Sequence, residues 1–133
     1  LWYNALSLFY ANSVTNSTSY GIVLASAMPG NTQQEFMPNN YLNVFYLNIL
    51  VENQVNAYDD YLPDYWDKIS AGRGEQFRNR WYSGGSGNYY SSFDEMREGC
   101  QDANGDMLCD TGYPIPGGET IDPYPFMNRP DLQ

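Results

Sequence analysis

Short runs of apolar and aromatic residues alternate with small polar residues over the first half of the chain. The runs cover residues 6–10, 21–24 and 44–51, and each is bounded by Asn, Ser or Gly. β-Branched and aromatic runs between turn-forming residues predict short β-strands. A helical pattern is nearly absent, and the best helix candidate, residues 75–81, has no clean apolar stripe. The pattern therefore predicts an all-β chain with many turns.

Asparagines recur beside these predicted strands, and their spacing suggests a repeat. The asparagines concerned are Asn12, Asn31, Asn43, Asn48 and Asn53. A step of roughly 20–25 residues is what one coil of a parallel β-helix requires. Asparagine suits the corners of such coils because it tolerates a left-handed backbone and its amide can bond to an asparagine one coil away. The alternative is that asparagine is simply a common turn residue.

We predict a short right-handed parallel β-helix, that is, a β-solenoid of stacked β-arches. The coils are expected in residues 1–67. An irregular, Gly/Pro-rich C-terminal region with an Asp-rich loop follows in residues 68–133 and caps the coils within one structural unit.

Length and charge narrow the possible functions. The chain has 133 residues, the size of one domain, and a net charge of −10. Such an acidic chain is unsuited to nucleic acid or an anionic membrane surface. Its apolar runs are far shorter than the ~20 residues that cross a bilayer. There is no histidine, which removes imidazole from any catalytic or metal site.

The charge is divided unevenly along the chain. Residues 1–57 contain only Glu35 and Glu52 as charged residues, whereas residues 58–133 contain all the remaining acids and all six basic residues. We therefore expect an almost neutral N-terminal part that can stack on other molecules, and an acidic part that faces solvent or binds cations.

Several spaced blocks in the second half resemble a known family. They are Asn-Ala-Tyr-Asp-Asp at 56–60 with Tyr-Trp-Asp at 65–67, Gly-Asn-Tyr-Tyr-Ser-Ser-Phe at 87–93, the Asp-rich segment with Pro-Ile-Pro-Gly-Gly at 102–118, and Asp-Pro-Tyr-Pro-Phe-Met at 122–127. In this order they look like the C-terminal end of NosD-like right-handed parallel β-helix proteins. The resemblance implies a β-helix fold and an archaeal, methanogen-type cell surface. The chain departs from the family at Tyr90, where tryptophan is usual, and in its two cysteines.

The Asp-rich segment is a candidate calcium loop. Asp102, Asn104, Asp106 and Asp110 supply hard oxygen ligands at short spacing, and Gly105 permits a sharp turn. Calcium would have a structural role there. The alternative is a cluster of Asx turns that happens to be acidic.

Cys100 and Cys109 bracket most of this loop. Two cysteines in an acidic, extracellular chain most often form one disulfide, which would stabilise the fold by roughly 2–3 kcal/mol at most. Intermolecular disulfides and free thiols are the alternatives.

Two further features have a possible chemical role. Asn16 begins the sequence Asn-Ser-Thr, the one N-glycosylation sequon of the chain. Asp59 and Asp60 could serve as an acid pair in a polysaccharide-active enzyme. However, neighbouring residues of a strand point to opposite faces, so a structural corner is the preferred interpretation.

We predict an extracellular, non-enzymatic structural protein of an archaeal cell envelope, in a surface layer, sheath or filament. Its partners would be copies of itself, joined by stacked β-strands. The first alternative is a carbohydrate-binding or adhesive surface module that acts through Trp2, Tyr3, Trp81, Tyr82, Tyr89 or Tyr90. A polysaccharide-active enzyme comes third.

Overall fold

A computed structural model of the protein describes residues 4–25 and 40–132. These residues form short strands, one α-helix and two short 3₁₀ segments, Gly74–Phe77 and Met96–Glu98. The strands are β1 (Asn4–Ala5), β2 (Leu8–Tyr10), β3 (Ser13–Thr15), β4 (Tyr20–Leu24), β5 (Asn40–Tyr41), β6 (Val44–Tyr46), β7 (Ile49–Val51), β8 (Val55–Asp59), β9 (Tyr89–Tyr90), β10 (Tyr113–Pro114) and β11 (Ile121–Asp122). The helix α1 is Pro63–Ser70.

The strands are short because left-handed corners interrupt the chain at regular steps. The corner residues have φ between 53° and 58°, and they are Leu6, Ala11 and Asn16 in one stretch and Leu42, Leu47 and Glu52 in another. A left-handed backbone costs a non-glycine residue roughly 1–2 kcal/mol. The first stretch offsets this cost with bonds to the second, because the N–H of Asn16 donates to the carbonyl of Val51 at 3.0 Å. The predicted strand 44–51 is therefore two strands, β6 and β7.

The two stretches lie side by side as parallel strands. We refer to residues 4–24 as the first pass and to residues 40–59 as the second pass. Strands β1 to β4 pair in order with β5 to β8, and the register places Phe9 opposite Phe45 and Val14 opposite Leu50. Side-chain bonds such as that from Asn12 to Asn48 span the same 36 residues. Strand β9 adds to β7, and β10 pairs with β11 in the antiparallel direction.

The prediction of a parallel β-helix is wrong. The described strands have two to five residues and belong to five separate sheets, four with two strands and one with three, of which one is antiparallel. The step between paired segments is 35 or 36 residues from the first pass to the second and 40 residues from β7 to β9, rather than the predicted 20–25. Corners at every fifth residue cut the strands short, and only β9 extends a sheet beyond the second pass. The described residues form a small domain of mixed strands, and they do not form a solenoid.

Helix α1 was not predicted, and the predicted helix at 75–81 is largely absent. Pro63 suits the first turn of α1 because its missing N–H needs no partner there, and the helix ends at Ala71, whose φ is 55°. In the predicted region only the 3₁₀ segment Gly74–Phe77 forms. Trp66 of α1 stacks on Phe77 with ring centroids 5.1 Å apart, so the two short helical segments pack on each other.

The core lies between the second pass and the C-terminal half. Its buried residues come from both, with Leu24 at the end of the first pass as an addition, and they are Leu24, Phe45, Leu50, Ala57, Trp81, Tyr90, Phe93, Cys100, Cys109 and Ile115. Residues of the first pass such as Phe9 and Val14 pack against this core but are only partly buried. Among the described residues, the second pass is therefore covered on both sides, whereas the first pass, apart from the buried Leu24, is covered on one side.

Candidate functional site

Side-chain amides form a ladder across the passes at the corner between β2 and β3. Asn12 donates its backbone N–H and its Nδ2 to Oδ1 of Asn48, at 3.1 and 2.9 Å. Asn48 makes the same two bonds to Oδ1 of Asn88, at 3.2 and 2.9 Å. Asn88 donates its backbone N–H and Nδ2 to Oδ2 of Asp122, at 2.8 and 3.1 Å. An ionised carboxylate only accepts hydrogen bonds, so Asp122 ends the ladder.

A second ladder follows the corner between β1 and β2. The backbone N–H of Ser7 donates to Oδ1 of Asn43 at 3.1 Å. Asn43 donates its N–H and Nδ2 to Oδ1 of Asn79, at 3.1 and 3.0 Å. Asn79 in turn donates from Nδ2 to Oδ1 of Asp59 at 3.2 Å. This ladder also runs from the first pass inward and ends on a carboxylate.

The third corner has a shorter version of the same arrangement. Asn53 accepts the backbone N–H of Ser17 at 3.0 Å and donates from Nδ2 to the carbonyl of Val14 at 2.9 Å. Asn12, Asn43, Asn48 and Asn53, which the sequence singled out for stacking, thus all lie at corners and bond to the neighbouring pass. Asn31 lies outside the described residues.

The two terminal carboxylates are buried, and burial governs their protonation. Burial raises the pKa of Asp122 to about 6, against hydrogen bonds from the backbone of Tyr124 and from Asn88 that lower it. Burial also raises the pKa of Asp59, and the bond from Trp81 Nε1 at 3.0 Å opposes this effect. Asp59 also accepts the backbone N–H of Tyr61 at 3.1 Å. Its enclosure among these donors supports a structural role rather than one in an acid pair with Asp60.

Aromatic rings stack along the same direction as the ladders. Phe9 lies on Phe45 with ring centroids 4.8 Å apart and planes 5° apart, and Phe45 lies on Trp81 at 4.5 Å. Tyr10 stacks on Tyr46 at 5.6 Å. Stacked pairs of this kind contribute about 0.5–1.5 kcal/mol beyond the area that they bury. Both stacks end at the first pass.

The first pass therefore presents what we call the open edge, the side of strands β1 to β4 that is turned away from β5 to β8. Within the described parts of the chain, each of these four strands pairs with a single strand. Residues 4–25 contain no charged side chain. Large apolar residues are exposed there, with Leu6 77%, Leu8 56% and Tyr10 54% accessible. An uncharged strand edge with exposed apolar side chains is a surface suited to pairing with another strand.

The aromatic residues proposed as a sugar platform are mostly inside the protein. Trp81 and Tyr90 are completely buried, and Tyr82 and Tyr89 are half-buried. Trp2 and Tyr3 lie outside the described residues. Trp81 and Tyr90 thus cannot stack on a carbohydrate in this fold.

The Asp-rich loop is held by its own backbone. Asp102 accepts the N–H groups of Gly105 at 2.6 Å and of Met107 at 2.9 Å. Asp106 accepts from Leu108 at 2.9 Å, and Asp110 accepts from Ala103 at 2.9 Å. Within residues 4–25 and 40–132, no group of three acidic, cysteine or histidine side chains is placed to hold a metal ion.

Calcium binding by Asp102, Asn104, Asp106 and Asp110 stays a prediction. Asn104 accepts the N–H of Asp106 at 2.9 Å, which completes the turn network of the loop. Chelation should lower the melting temperature if calcium binds there, and an unchanged melting temperature would contradict the prediction.

The disulfide forms within the chain, and the sequon lies at an exposed position. Cys100 and Cys109 are bonded to each other, with their Cα atoms 4.8 Å apart, consistent with the intramolecular pairing expected from the sequence. Asn16 is an exposed corner residue of the first pass, with a φ of 58°. Its position is accessible to modification, and glycosylation there stays a prediction.

Sequence reasoning missed Asn79, Asn88 and Asp122, which continue and end the ladders. It also missed the ring stack that Phe9 begins. A signal was present in the sequence, because Phe9-Tyr10-x-Asn12 recurs as Phe45-Tyr46-x-Asn48, and these are the pairs that face each other in the structure. The predicted repeat length of roughly 20–25 residues differs from the 36 residues that separate these two sequences, so the repeat was not recognised.

No helix in the described parts of the chain is long and apolar enough to span a membrane.

Comparisons with known proteins identify no relative. No family model, no curated protein and no solved structure matches this chain.

Proposed function

We propose that this protein is an extracellular structural subunit that associates with copies of itself through the open edge. The proposed setting is an archaeal cell envelope, as part of a surface layer, sheath or filament. The archaeal setting rests on the resemblance of residues 56–67, 87–93 and 102–127 to NosD-like surface proteins. The disulfide between Cys100 and Cys109 supports an oxidising, extracellular location.

The observation that carries this proposal is the contrast between the open edge and the rest of the chain. Residues 4–25 have no charged side chain in a protein of net charge −10. Leu8 and Tyr10 of β2 are more than half exposed although both are large and apolar. Natural proteins usually protect an exposed strand edge with charged residues, proline or a covering segment. The absence of charge from this edge favours a partner strand.

We propose that the partner strand belongs to a second copy of this chain. Elsewhere on the molecule two copies would bring like charges together, since residues 58–133 have a net charge of −8. At the open edge two copies meet without that repulsion. A strand edge also complements its own copy, because each offers the same alternation of N–H and C=O groups. Pairing about a two-fold axis gives a dimer, which would be the building block of a larger assembly.

The side chains at the open edge are suited to such a contact. Within residues 4–25 and 40–132, Phe9 ends the stack that Phe45 and Trp81 begin, so its second face can stack on an aromatic ring of the partner. A cavity of about 230 Å³ beside Phe9, Ile22 and Phe45 gives space for a side chain of the partner. Filling this cavity and covering Leu8 would remove apolar surface from water, worth roughly 25 cal/mol for each Å².

Sedimentation velocity across a concentration series tests the proposal, with negative-stain microscopy to detect sheets or filaments. We expect the wild type to self-associate and Leu8→Lys to be monomeric, because lysine at the edge would have to be buried unpaired. Ile121→Lys is the matched control, since Ile121 is 54% exposed against 56% for Leu8 but lies in β11.

Two results would contradict the proposal. One is a wild type that stays monomeric at the highest soluble concentration. The other is equal association of Leu8→Lys and Ile121→Lys. Because the Leu8 side chain is exposed, its replacement should leave the melting temperature of the monomer almost unchanged. This check separates a lost contact from a lost fold.

A further inference from the structure

A groove outside the open edge is lined by two arginines in a protein that is otherwise acidic. Its volume is about 480 Å³, within the range of roughly 300–1,000 Å³ that is typical of small-molecule sites. The polar and aromatic residues that line it are Glu75, Gln76, Arg78, Asn79, Arg80 and Tyr82, and the apolar residues are Leu42 and Ile121.

An extended segment places three of these side chains on one side of the backbone. Asn79 and Trp81 point inward and are 1% and 0% exposed. Arg78, Arg80 and Tyr82 alternate with them and therefore point outward, into the groove. Because every second residue is anchored in the core, the outward side chains leave from a fixed backbone.

Backbone bonds to the second pass hold Arg80 in particular. Its N–H donates to the carbonyl of Asn43 at 2.8 Å, and its carbonyl accepts the N–H of Phe45 at 2.8 Å. These two hydrogen bonds fix the backbone from which the Arg80 side chain extends. Tyr82 is held by an edge-to-face contact with Tyr124, with ring centroids 5.4 Å apart.

The two arginines of the groove are not equivalent. Arg78 donates to both carboxylate oxygens of Glu75, at 2.9 and 2.7 Å, so its charge is already balanced. No ion pair joins Arg80 to a side chain in residues 4–25 or 40–132. Arg80 is thus the charged side chain lining the groove that has no ion-pair partner among the described residues, whereas Arg78 faces both Glu75 and Glu119. Guanidinium groups bind carboxylates with two parallel hydrogen bonds, which makes an anionic group the natural partner of Arg80.

We propose that this groove binds an acidic oligosaccharide, with a sugar carboxylate on Arg80 and a sugar ring against Tyr82. Planar hydrogen-bonding side chains such as Glu75 and Gln76 suit the hydroxyl groups of a sugar. The exposed part of the half-buried Tyr82 ring suits its C–H face. A highly charged polyanion such as nucleic acid is disfavoured because the surrounding surface is acidic. This site is separate from the open edge and does not depend on self-association.

Calorimetric titration with a galacturonic acid trimer tests the proposal, with the methyl-esterified trimer as the uncharged reference. We expect the acidic trimer to bind, and both esterification and Arg80→Gln to weaken binding about tenfold or more. Arg97→Gln is the matched control, because Arg97 is an exposed arginine that pairs with Glu95 outside the groove. Tyr82→Leu should also weaken binding, while Arg80→Gln should leave the sedimentation behaviour unchanged.

Three results would overturn the proposal. The first is no heat of binding for the acidic trimer at millimolar concentration. The second is the same affinity in Arg80→Gln as in Arg97→Gln. The third is equal binding of a glutamate-rich peptide, which would make the groove a general anion site instead of a saccharide site. Circular dichroism of Arg80→Gln checks that the fold is kept, and its exposed side chain makes this the expected result.

Discussion

The first and second passes have closely similar backbones but very different surroundings. Both have left-handed corners at five-residue steps, and both carry the sequence Phe-Tyr-x-Asn at matching positions. In the second pass Phe45 and Asn48 are completely buried, whereas in the first pass Phe9 is half-buried and Asn12 is exposed. The difference arises because residues 79–90 cover the second pass on its other side, as Trp81 covers Phe45. The same local pattern thus serves as core in one place and as open edge in the other.

The largest expected effect is the difference in unfolding free energy between alanine variants of Phe45 and Phe9. Phe45→Ala would leave a cavity between Phe9 and Trp81 and should lower the free energy of unfolding by about 3–5 kcal/mol. Phe9→Ala removes a ring that is packed on one face only, so a loss of about half that size is expected. Urea denaturation of both variants measures the difference. Equal losses would show that the first pass is as enclosed as the second.

A smaller effect should separate the asparagines of the ladder. Asn48→Ala would leave the backbone N–H and Nδ2 of Asn12 without their acceptor, and Oδ1 of Asn88 would keep only the backbone N–H of residue 48, at a cost of about 2–3 kcal/mol. Asn12→Ala removes only side-chain bonds at the exposed end, and about 1 kcal/mol or less is expected. The same denaturation experiment compares them. A larger loss for Asn12→Ala would mean that the ladder is stabilised mainly from the open edge.

The pH dependence of stability tests the closed end of this ladder. Burial raises the pKa of Asp122 from 3.8 to about 6, so between these values the folded state binds more protons than the unfolded state. The stability that Asp122 contributes is therefore present below pH 3.8 and is lost as the pH rises through about 6. The size of this loss is on the order of 3 kcal/mol.

Asp122→Asn isolates that contribution, because the other acidic groups, including the buried Asp59, stay in place. We expect the stability of the variant to fall less steeply than that of the wild type between pH 4 and pH 6. Denaturation midpoints measured across this interval provide the comparison. Parallel curves for the two proteins would show that Asp122 has an ordinary pKa in the folded state.

Some of the fold could be predicted from local sequence, because the forces that set it are local. β-Branched and aromatic residues around Val44 and Ile22 favour strands, and asparagine favours corners, so both were placed correctly. The pairing step of 36 residues was missed, because it depends on which strands meet after the chain has turned back. Helix α1 was missed because its eight residues are too few to show a repeating apolar pattern in the sequence, and Trp66 finds its contacts with Tyr41 and Phe77 only in the folded chain.

The candidate sites show the same division. Asn12, Asn43, Asn48 and Asn53 could be selected from sequence, because a corner asparagine is recognisable by its neighbours. One ladder continues from Asn48 through Asn88 to Asp122. Asn88 and Asp122 are 34 positions apart in the sequence, so no local pattern predicts their contact. The groove likewise depends on the inward anchoring of Asn79 and Trp81, which only the packed structure reveals.

By itself the sequence determined the short strands, the corners, the absence of charge from residues 1–25 and the concentration of acids beyond residue 57. The tertiary structure decided that these strands form small mixed sheets instead of a solenoid, and it decided which of two similar passes is buried. The physical reason is that burial and ladder bonds depend on the neighbour across the sheet. Phe9 and Phe45 have nearly the same local sequence, and the presence of Trp81 on the far side of Phe45 makes them different.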